Sequence, residues 1–212
     1  MKIHKLGHCC LVVETKGKRI MTDPGEYSTL QKDALDIDII LFTHEHGDHF
    51  HLESLKAVMT NNPQAKIITN TAVAKLLQSE KIPYQILEQG ASKTEDGILF
   101  EGFGEKHAEM FPTWGQVQNT GYFIDNKLFY PGDAFTDPGK PVDILAVPVA
   151  GPWMKLSEAI DYALLIKPRV AFPVHDGILK HPGGAAHKLP SKFLPENGIE
   201  FVPMLEGEEH EF

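Results

Sequence analysis

The most constraining feature of this chain is a dense run of histidines and acidic residues directly after a short apolar segment. Residues 38–43 (DIILFT) are typical of a strand that is buried on both faces of a sheet. Residues 44–49 (HEHGDH) follow without a break and contain three imidazoles and two carboxylates. Neither side chain is favoured in a core without a partner, so the pattern predicts a buried strand that ends in a polar site.

The composition of this run indicates a metal site. Imidazole is a good ligand for zinc and other borderline metals, and a carboxylate can bridge two ions or orient a ligand. In an extended turn His44 and His46 point the same way, and Gly47 allows a bend that returns Asp48 and His49 toward a second ion. The alternative is a solvated polar loop without a function, but the density of ligands favours the metal site.

The rest of the chain alternates strand-like and helical segments, which is typical of an α/β protein. Polar residues follow the predicted strands, and the carboxyl ends of strands are where such folds build their sites. Residues 177–187 are expected to form a flexible loop and residues 206–211 a solvated acidic end. The strands are predicted at residues 3–14, 19–22, 38–43, 65–69, 84–87, 98–103, 121–124, 127–130, 144–149 and 170–174, and the helices at residues 52–61, 72–79 and 156–167.

Charge and composition exclude several classes of partner. Twenty basic against 29 acidic residues give a net charge of −9, and Arg19 and Arg169 are the only arginines, so a nucleic-acid partner is disfavoured. The apolar runs are too short for a signal peptide or a membrane span. Cys9 and Cys10 are adjacent and do not make a disulfide framework, which predicts a reducing, cytoplasmic location. Residues 1–212 are expected to form one domain, and a homo-oligomer is allowed.

Five elements in order resemble the metallo-β-lactamase superfamily. They are an aspartate after an early strand, the His-rich run, a later single histidine, a Gly-Asp pair and a final histidine after a strand; they are found at Asp23, residues 44–49, His107, residues 132–133 and His175. Residues 6–8 (LGH) and 173–175 (PVH) are further similar to the metal-dependent hydrolase branch that includes ascorbate-6-phosphate lactonase. The resemblance implies an α/β fold, specifically a four-layer αββα sandwich of the metallo-β-lactamase type.

The resemblance also implies a ligand set for two divalent ions. By the family pattern His44, His46 and His107 hold the first ion, Asp48, His49 and His175 hold the second, and Asp133 bridges them. Asp23 would accept a hydrogen bond from a ligand imidazole and so fix its tautomer. Zinc is the first expectation for the metals, with manganese, iron and nickel as alternatives.

The implied activity is hydrolysis of a small-molecule ester, lactone or phosphate ester by a metal-bridging hydroxide. Asp48 and Asp133 would be catalytic, and His8, His181 and His187 are candidate proton donors to a leaving group. The substrate pocket is expected to include Trp114, Trp153, His181 and His187. An aspartate at position 133, where true β-lactamases commonly have cysteine, argues against antibiotic cleavage. Alternatives are a phosphodiesterase or nuclease of this fold, an iron-containing oxidoreductase of this fold, or a non-enzymatic metal- or partner-binding protein.

Overall fold

The computed structural model describes all 212 residues and contains fourteen strands and four α-helices. The first half of the chain contributes β1 (Lys2–Lys5), β2 (Leu11–Thr15), β3 (Lys18–Thr22), β4 (Ile39–Leu41), α1 (Leu52–Asn61), β5 (Lys66–Thr69), α2 (Thr71–Ser79) and β6 (Gln85–Ile86). The second half contributes β7 (Ser92–Glu95), β8 (Ile98–Phe103), β9 (Gly121–Ile124), β10 (Leu128–Tyr130), β11 (Ile144–Pro148), α3 (Leu156–Ile166), β12 (Val170–Val174), α4 (Ala185–Phe193), β13 (Glu200–Phe201) and β14 (Glu209–Glu211). None of the helices has the length and apolar character that crossing a bilayer would require.

The strands form two mixed sheets with the same pairing pattern. The first has seven strands in the order β14-β1-β2-β3-β4-β5-β6, and the second has seven in the order β13-β12-β11-β10-β9-β8-β7. In each sheet three antiparallel pairs adjoin three parallel ones. The parallel strands of both halves therefore end in the loops that carry the polar residues noted above.

The buried side chains separate into three layers, because the central strands are apolar on both faces. In β4, Ile39 and Leu41 join the 21-residue cluster between the two sheets. Ile40 faces the other way and joins a 13-residue cluster under α1 and α2. A 14-residue cluster lies on the outer face of the second sheet, under α3 and α4. Two sheets with helices outside them confirm the predicted αββα sandwich.

Short-range sequence signals position several of these elements. Asp125 and Asn126 have φ values of 53° and 54°, the left-handed pair that a two-residue hairpin between β9 and β10 requires. The Asn70 side chain accepts a hydrogen bond from the Val73 N–H and caps α2. Lys167 adopts a left-handed conformation (φ 54°) and ends α3 before Pro168. These boundaries agree with the sequence prediction to within about two residues.

Three predicted segments differ from the structure. The β-rich run over residues 3–14 is two antiparallel strands, β1 and β2, separated at Gly7, whose φ is 151°. The loop expected to contain His187 is instead partly helical, since α4 begins at Ala185. The acidic end is not merely solvated, because β14 pairs with β1 and Lys2 lies 2.9 Å from Glu209. The sequence also does not predict β7 and β13, since both are short and polar.

Candidate metal centre

The predicted site residues follow strands of both sheets. Asp23 comes directly after β3, and residues 44–49 come shortly after the neighbouring β4. From the second sheet, His107 follows β8, Asp133 follows β10 and His175 follows β12. The two sheets thus bring together, at one edge, residues that lie far apart in sequence.

A first group consists of three imidazoles. The ligand atoms of His44, His46 and His107 lie within 4.8 Å of one another. His44 and His107 are buried and His46 is half-buried. His107 Nδ1 donates to the Ala108 carbonyl at 2.6 Å, which leaves its Nε2 lone pair free. This group has the composition of a three-histidine metal position.

A second group combines carboxylates with imidazoles. The ligand atoms of Asp48, His49, Asp133 and His175 lie within 4.8 Å of one another. His49, Asp133 and His175 are buried, whereas the Asp48 side chain is 20% exposed. The open side of this group is therefore at Asp48, where a small molecule can reach it.

Asp133 contacts both groups. Its Oδ2 lies 3.3 Å from His107 Nε2 and 2.8 Å from His175 Nε2. Its Oδ1 lies 3.1 Å from His49 Nε2, and His44 Nε2 is 3.9 Å from Oδ2. The backbone supports this placement, because the Asp133 N–H donates to Asn119 Oδ1 at 3.1 Å. One carboxylate is thus positioned between the two sets of ligand atoms.

The pKa values of His44 and His46 in the first group shift in the opposite direction from those of His49 and His175 in the second. Burial, together with the neighbouring histidines, lowers the pKa of His44 and His46. Burial opposes charge on His49 and His175 as well, but the Asp133 carboxylate raises the pKa of both imidazoles. Conversely, these imidazoles hold the pKa of Asp133 well below its usual range despite its burial. Burial therefore favours neutral imidazoles at His44 and His46, whereas the Asp133 carboxylate favours positive charge beside it in the second group.

Asp23 lies behind this centre and organises three of its neighbours. Its Oδ2 accepts hydrogen bonds from His49 Nδ1 at 2.8 Å, from the Tyr130 hydroxyl at 2.6 Å and from the Thr43 hydroxyl at 2.6 Å. Its Oδ1 accepts from the Thr43 N–H at 2.8 Å. Since His49 Nδ1 carries the proton, His49 Nε2 presents a lone pair to the centre. Asp23 therefore accepts a hydrogen bond from an imidazole of the second group and orients that ring.

Thr43, which is hydrogen-bonded to Asp23, in turn fixes the tautomer of His44. Its hydroxyl proton goes to Asp23, so its oxygen is an acceptor for His44 Nδ1, 3.0 Å away. This arrangement leaves the lone pair on His44 Nε2, on the side of the ring that faces Asp133. Three histidine tautomers are consequently fixed by hydrogen bonds to the protein.

Both ring nitrogens of His8 are hydrogen-bonded, one of them to Asp48. The Gly177 N–H donates to His8 Nδ1 at 3.0 Å, so His8 Nε2 carries the proton. That nitrogen lies 3.3 Å from Asp48 Oδ2 and donates to it. Although burial alone would raise it, the contacts from His175 and His8 hold the pKa of Asp48 well below its usual range. Asp48 is accordingly an ionised hydrogen-bond acceptor.

Two glycines allow the backbone to come close to the centre. A Cβ on Gly25 would lie 1.8 Å from the Asp48 carbonyl oxygen. Gly132 has φ 67°, and a Cβ there would lie 2.3 Å from Asn119 Oδ1. Any larger residue at either position would push the loop bearing Asp48 or Asp133 away from the centre.

The donor set fits divalent cations. Four fully buried atoms that face one another have no hydrogen-bond partner with suitable geometry, namely His44 Nε2, His49 Nε2, His175 Nε2 and Asp133 Oδ1. Buried polar atoms are rarely left without a partner, and three imidazole nitrogens that converge on a carboxylate are a donor set that a divalent cation would satisfy. The residues therefore suit borderline metals with nitrogen and oxygen ligands.

The four residues predicted to line the pocket have different surroundings. Trp153 is buried and its Nε1 donates to Asp133 Oδ2 at 3.1 Å, so the indole orients a carboxylate, and its ring packs beside those of His107 and His175. Trp114 is 77% exposed and lines a cavity beside His46 and His107. The His181 side chain is exposed and makes no hydrogen bond to the protein. His187 is not with the centre: its Nε2 bonds Asp176 Oδ2 at 2.8 Å and its ring lines a separate cavity.

Some residues of the centre are not identified from the sequence. Thr43 and Tyr130 are predicted only as parts of strands, and Asn119 is not singled out. The position of Thr43 directly before His44 is an available signal, but nothing local distinguishes Asn119. Cys9 is buried, with its sulfur near ligand atoms of His8, His49 and His175.

The fold and the centre together define the class: an αββα protein with a His/Asp centre at the strand ends of its two sheets. The chain belongs to the family described as the beta-lactamase superfamily domain, whose family model matches residues 2–175. This confirms the superfamily predicted from the sequence, whereas the finer resemblance to ascorbate-6-phosphate lactonase stays a prediction.

Proteins of similar sequence align with most of the chain. Protein Rv0786c of Mycobacterium tuberculosis is 32% identical over 184 residues, which cover 84% of this chain and 85% of that protein. A UPF0173 metal-dependent hydrolase of Pyrococcus horikoshii is 25% identical over 193 residues, covering 82% and 84%. The structure of Igni18, a metallo hydrolase of Ignicoccus hospitalis, has a TM-score of 0.79 at 20% identity and covers 100% of this chain and 98% of that one. This last likeness shows the shared fold alone.

Proposed function

We propose that the protein is a dinuclear metal-dependent hydrolase that cleaves a small-molecule ester, lactone or phosphate ester. The observation that carries the proposal is that four buried ligand atoms without a hydrogen-bond partner come together where the two ligand groups adjoin. His44, His46 and His107 would hold one cation, Asp48, His49 and His175 the other, and Asp133 would bridge them. The names of the relatives as metal-dependent hydrolases support the enzyme class.

Two divalent cations, zinc first among them, would supply a water of lowered pKa and a Lewis acid for a carbonyl or phosphoryl oxygen. The protein's contribution is to fix the donors. Asp23 and Thr43 hold the tautomers of His49 and His44, and the Ala108 carbonyl holds that of His107. Trp153 Nε1–H holds the Asp133 carboxylate, and Asn119 Oδ1 accepts from the Asp133 backbone N–H and so fixes the backbone there. Such orientation reduces the rearrangement that the site needs during reaction.

Asp48 is the residue we assign to the attacking water. Its pKa is well below the usual range, so the carboxylate stays ionised, accepts a hydrogen bond from a water and orients that water. His8 acts on Asp48, because its Nε2–H donates to Asp48 Oδ2 and leaves Oδ1 for the water. We assign His8 a positioning role, and a proton transfer from His8 to the leaving group is the alternative.

A substrate panel with defined metals tests this function. The purified protein, loaded separately with zinc, manganese, iron or nickel, should hydrolyse at least one of a lactone, a carboxylic ester or a phosphate ester, with two metals per chain by elemental analysis. A chelator should abolish the activity, and the same metal should restore it. A protein that binds two metals and hydrolyses none of these compounds would contradict the proposal.

Two further measurements separate the alternatives of the same fold. A nuclease should bind RNA or DNA with an affinity that falls steeply with salt, which the net charge of −9 disfavours. An iron-dependent oxidoreductase should show iron and visible absorbance after anaerobic purification.

A further inference from the structure

A loop projects over the first ligand group and is tied at its base to His107. The His107 N–H donates to the Val117 carbonyl at 2.9 Å, and Gln116 Nε2 donates to the His107 carbonyl at 2.7 Å. The segment between these bonds, residues 108–116, contains no helix or strand. The position of this 108–116 loop is therefore coupled to a proposed metal ligand.

The 108–116 loop exposes two large aromatic side chains. Trp114 is 77% exposed and Phe111 is 60% exposed. Single exposed apolar residues need no explanation, but two aromatics on one loop beside the candidate metal centre form an apolar surface that a ligand can cover. The loop has the composition of a binding element.

A cavity of about 230 Å³ separates Trp114 from the imidazoles of the first group. It contains no lysine, arginine, aspartate or glutamate, and the exposed Lys106 does not line it. The lining consists of His46, His107, Ala108, Met110, Trp114, Gly115, Gln116 and Val117. An apolar cavity of about 150 Å³ holds a benzene ring, so this one has room for a phenyl group or a chain of about six carbons.

We propose that this cavity binds an apolar acyl or aryl group of a neutral ester or lactone, with Trp114 as the specificity-determining residue. The inference rests on the proposed hydrolase function and narrows its substrate class. The group that is cleaved would lie at the metal ligands, whereas the group that fills the rest of the cavity meets Met110, Trp114 and Val117 and no cationic side chain. A charged group in that part of the cavity would lose water without compensation, which is costly. An alkyl or aryl group loses nothing there and gains contact with Trp114, Met110 and Val117.

The first test compares matched esters. Methyl hexanoate should exceed methyl acetate in kcat/KM by about 10- to 100-fold, because four more methylenes become buried. Each turnover consumes one water and releases one carboxylic acid and methanol, so a pH-stat follows the reaction. Trp114→Ala should remove at least about tenfold of this preference, and Trp114→Phe should retain most of it. Leu165→Ala, at a 63% exposed position on α3, is the control and should leave the preference unchanged.

A second test does not depend on turnover. The chain has two tryptophans, of which Trp153 is buried and Trp114 exposed. Hexanamide should shift the fluorescence of the purified protein to shorter wavelength as it covers Trp114, acetamide should not, and the Trp114→Phe variant should show no shift.

The outcomes are distinguishable. Equal kcat/KM for the two methyl esters, or preferential phosphate release from hexyl phosphate, would overturn the inference and leave the hydrolase function standing. Absence of turnover of every ester, lactone and phosphate ester, with two metals bound, would contradict the proposed function. The fluorescence shift would then decide the inference by itself. A shift confined to hexanamide and to proteins with Trp114 supports the cavity, and its absence rejects it.

Discussion

The two ligand groups of the centre are adjacent but chemically unlike. His44, His46 and His107 offer three nitrogen donors, and burial lowers the pKa of His44 and His46. The other group contributes two imidazoles and the carboxylates of Asp48 and Asp133. Nitrogen donors suit zinc and nickel, whereas carboxylate oxygens also suit harder cations such as manganese. We therefore expect the two proposed metal positions to differ in metal preference while sharing Asp133 as the proposed bridging residue.

The largest effect is expected at the shared residue, Asp133. Replacement by Asn removes the only carboxylate that contacts both groups, so hydrolysis should fall by about 1000-fold or more and metal content should drop below two per chain. Elemental analysis and initial rates measure this, with circular dichroism to show that the fold is kept. Asp137→Asn, at an exposed position nearby, is the matched control. Full activity with two metals in the Asp133 variant would refute the bridging assignment.

A pair of variants sharpens the comparison between the groups. His46→Ala should lower the zinc content to about one per chain and leave manganese binding, because the carboxylates are intact. Asp48→Ala should weaken manganese binding and leave one zinc on the three imidazoles. Each should lower activity by at least about 100-fold, beyond the usual effect of a residue outside the ligand shell. Metal analysis and electron paramagnetic resonance of manganese report the result; identical metal profiles in the two variants would contradict the difference proposed here.

A smaller effect is expected at Asp23, which supports both groups from behind. In Asp23→Asn an amide N–H₂ can face the Nδ1–H of His49, so the tautomer is no longer enforced. Metal affinity should fall by about 10- to 100-fold. Loss of a charged acceptor from a buried network should also lower the free energy of unfolding by about 1–3 kcal/mol. Competition with a chelator and thermal denaturation measure the two effects, and an unchanged metal affinity would remove the tautomer argument.

The smallest effect is expected at Trp153. Trp153→Phe keeps an aromatic wall but deletes the hydrogen bond to Asp133 Oδ2, so kcat should fall by roughly tenfold or less, with metal content unchanged. Trp153→Ala should cost more, since it also opens the wall. A Phe variant as impaired as the Ala variant would mean that the hydrogen bond, rather than the shape of the wall, dominates.

How far the sequence predicts this protein depends on the range of the interaction involved. Residues 44–49 are identifiable because several candidate ligands lie within one turn after an apolar strand. The strands β8, β9 and β12 are predicted with their observed bounds because apolar runs and turn residues are local signals. His107 is predicted from the resemblance and from the lack of any other histidine in its part of the chain.

Contacts between residues that are far apart in sequence account for the features that local sequence patterns do not predict. His187 is expected in the substrate pocket, but it is bonded to Asp176, which also pairs with the buried Lys5 at 2.7 Å. Lys5 is 171 residues away from Asp176, so no pattern near His187 reports this pairing. β14 likewise forms because β1 offers it an edge, which the acidic tail alone does not indicate.

The sequence by itself determined the α/β class, the strand-end location of the polar residues and the ligand-rich run at residues 44–49, since these follow from local periodicity and from a compact motif. The remaining candidate ligands are those that the family resemblance implies. The tertiary structure supplied the distances at which Asp133 contacts both groups and identified His49 as the imidazole that Asp23 meets. It alone decided that Thr43 fixes the His44 tautomer and that Trp153 orients a carboxylate while Trp114 faces an open cavity. The physical reason is that hydrogen-bond direction and donor convergence depend on how the two sheets are packed against each other. Sequence spacing specifies which side chains reach a strand end, but it does not specify which partner each of them meets there.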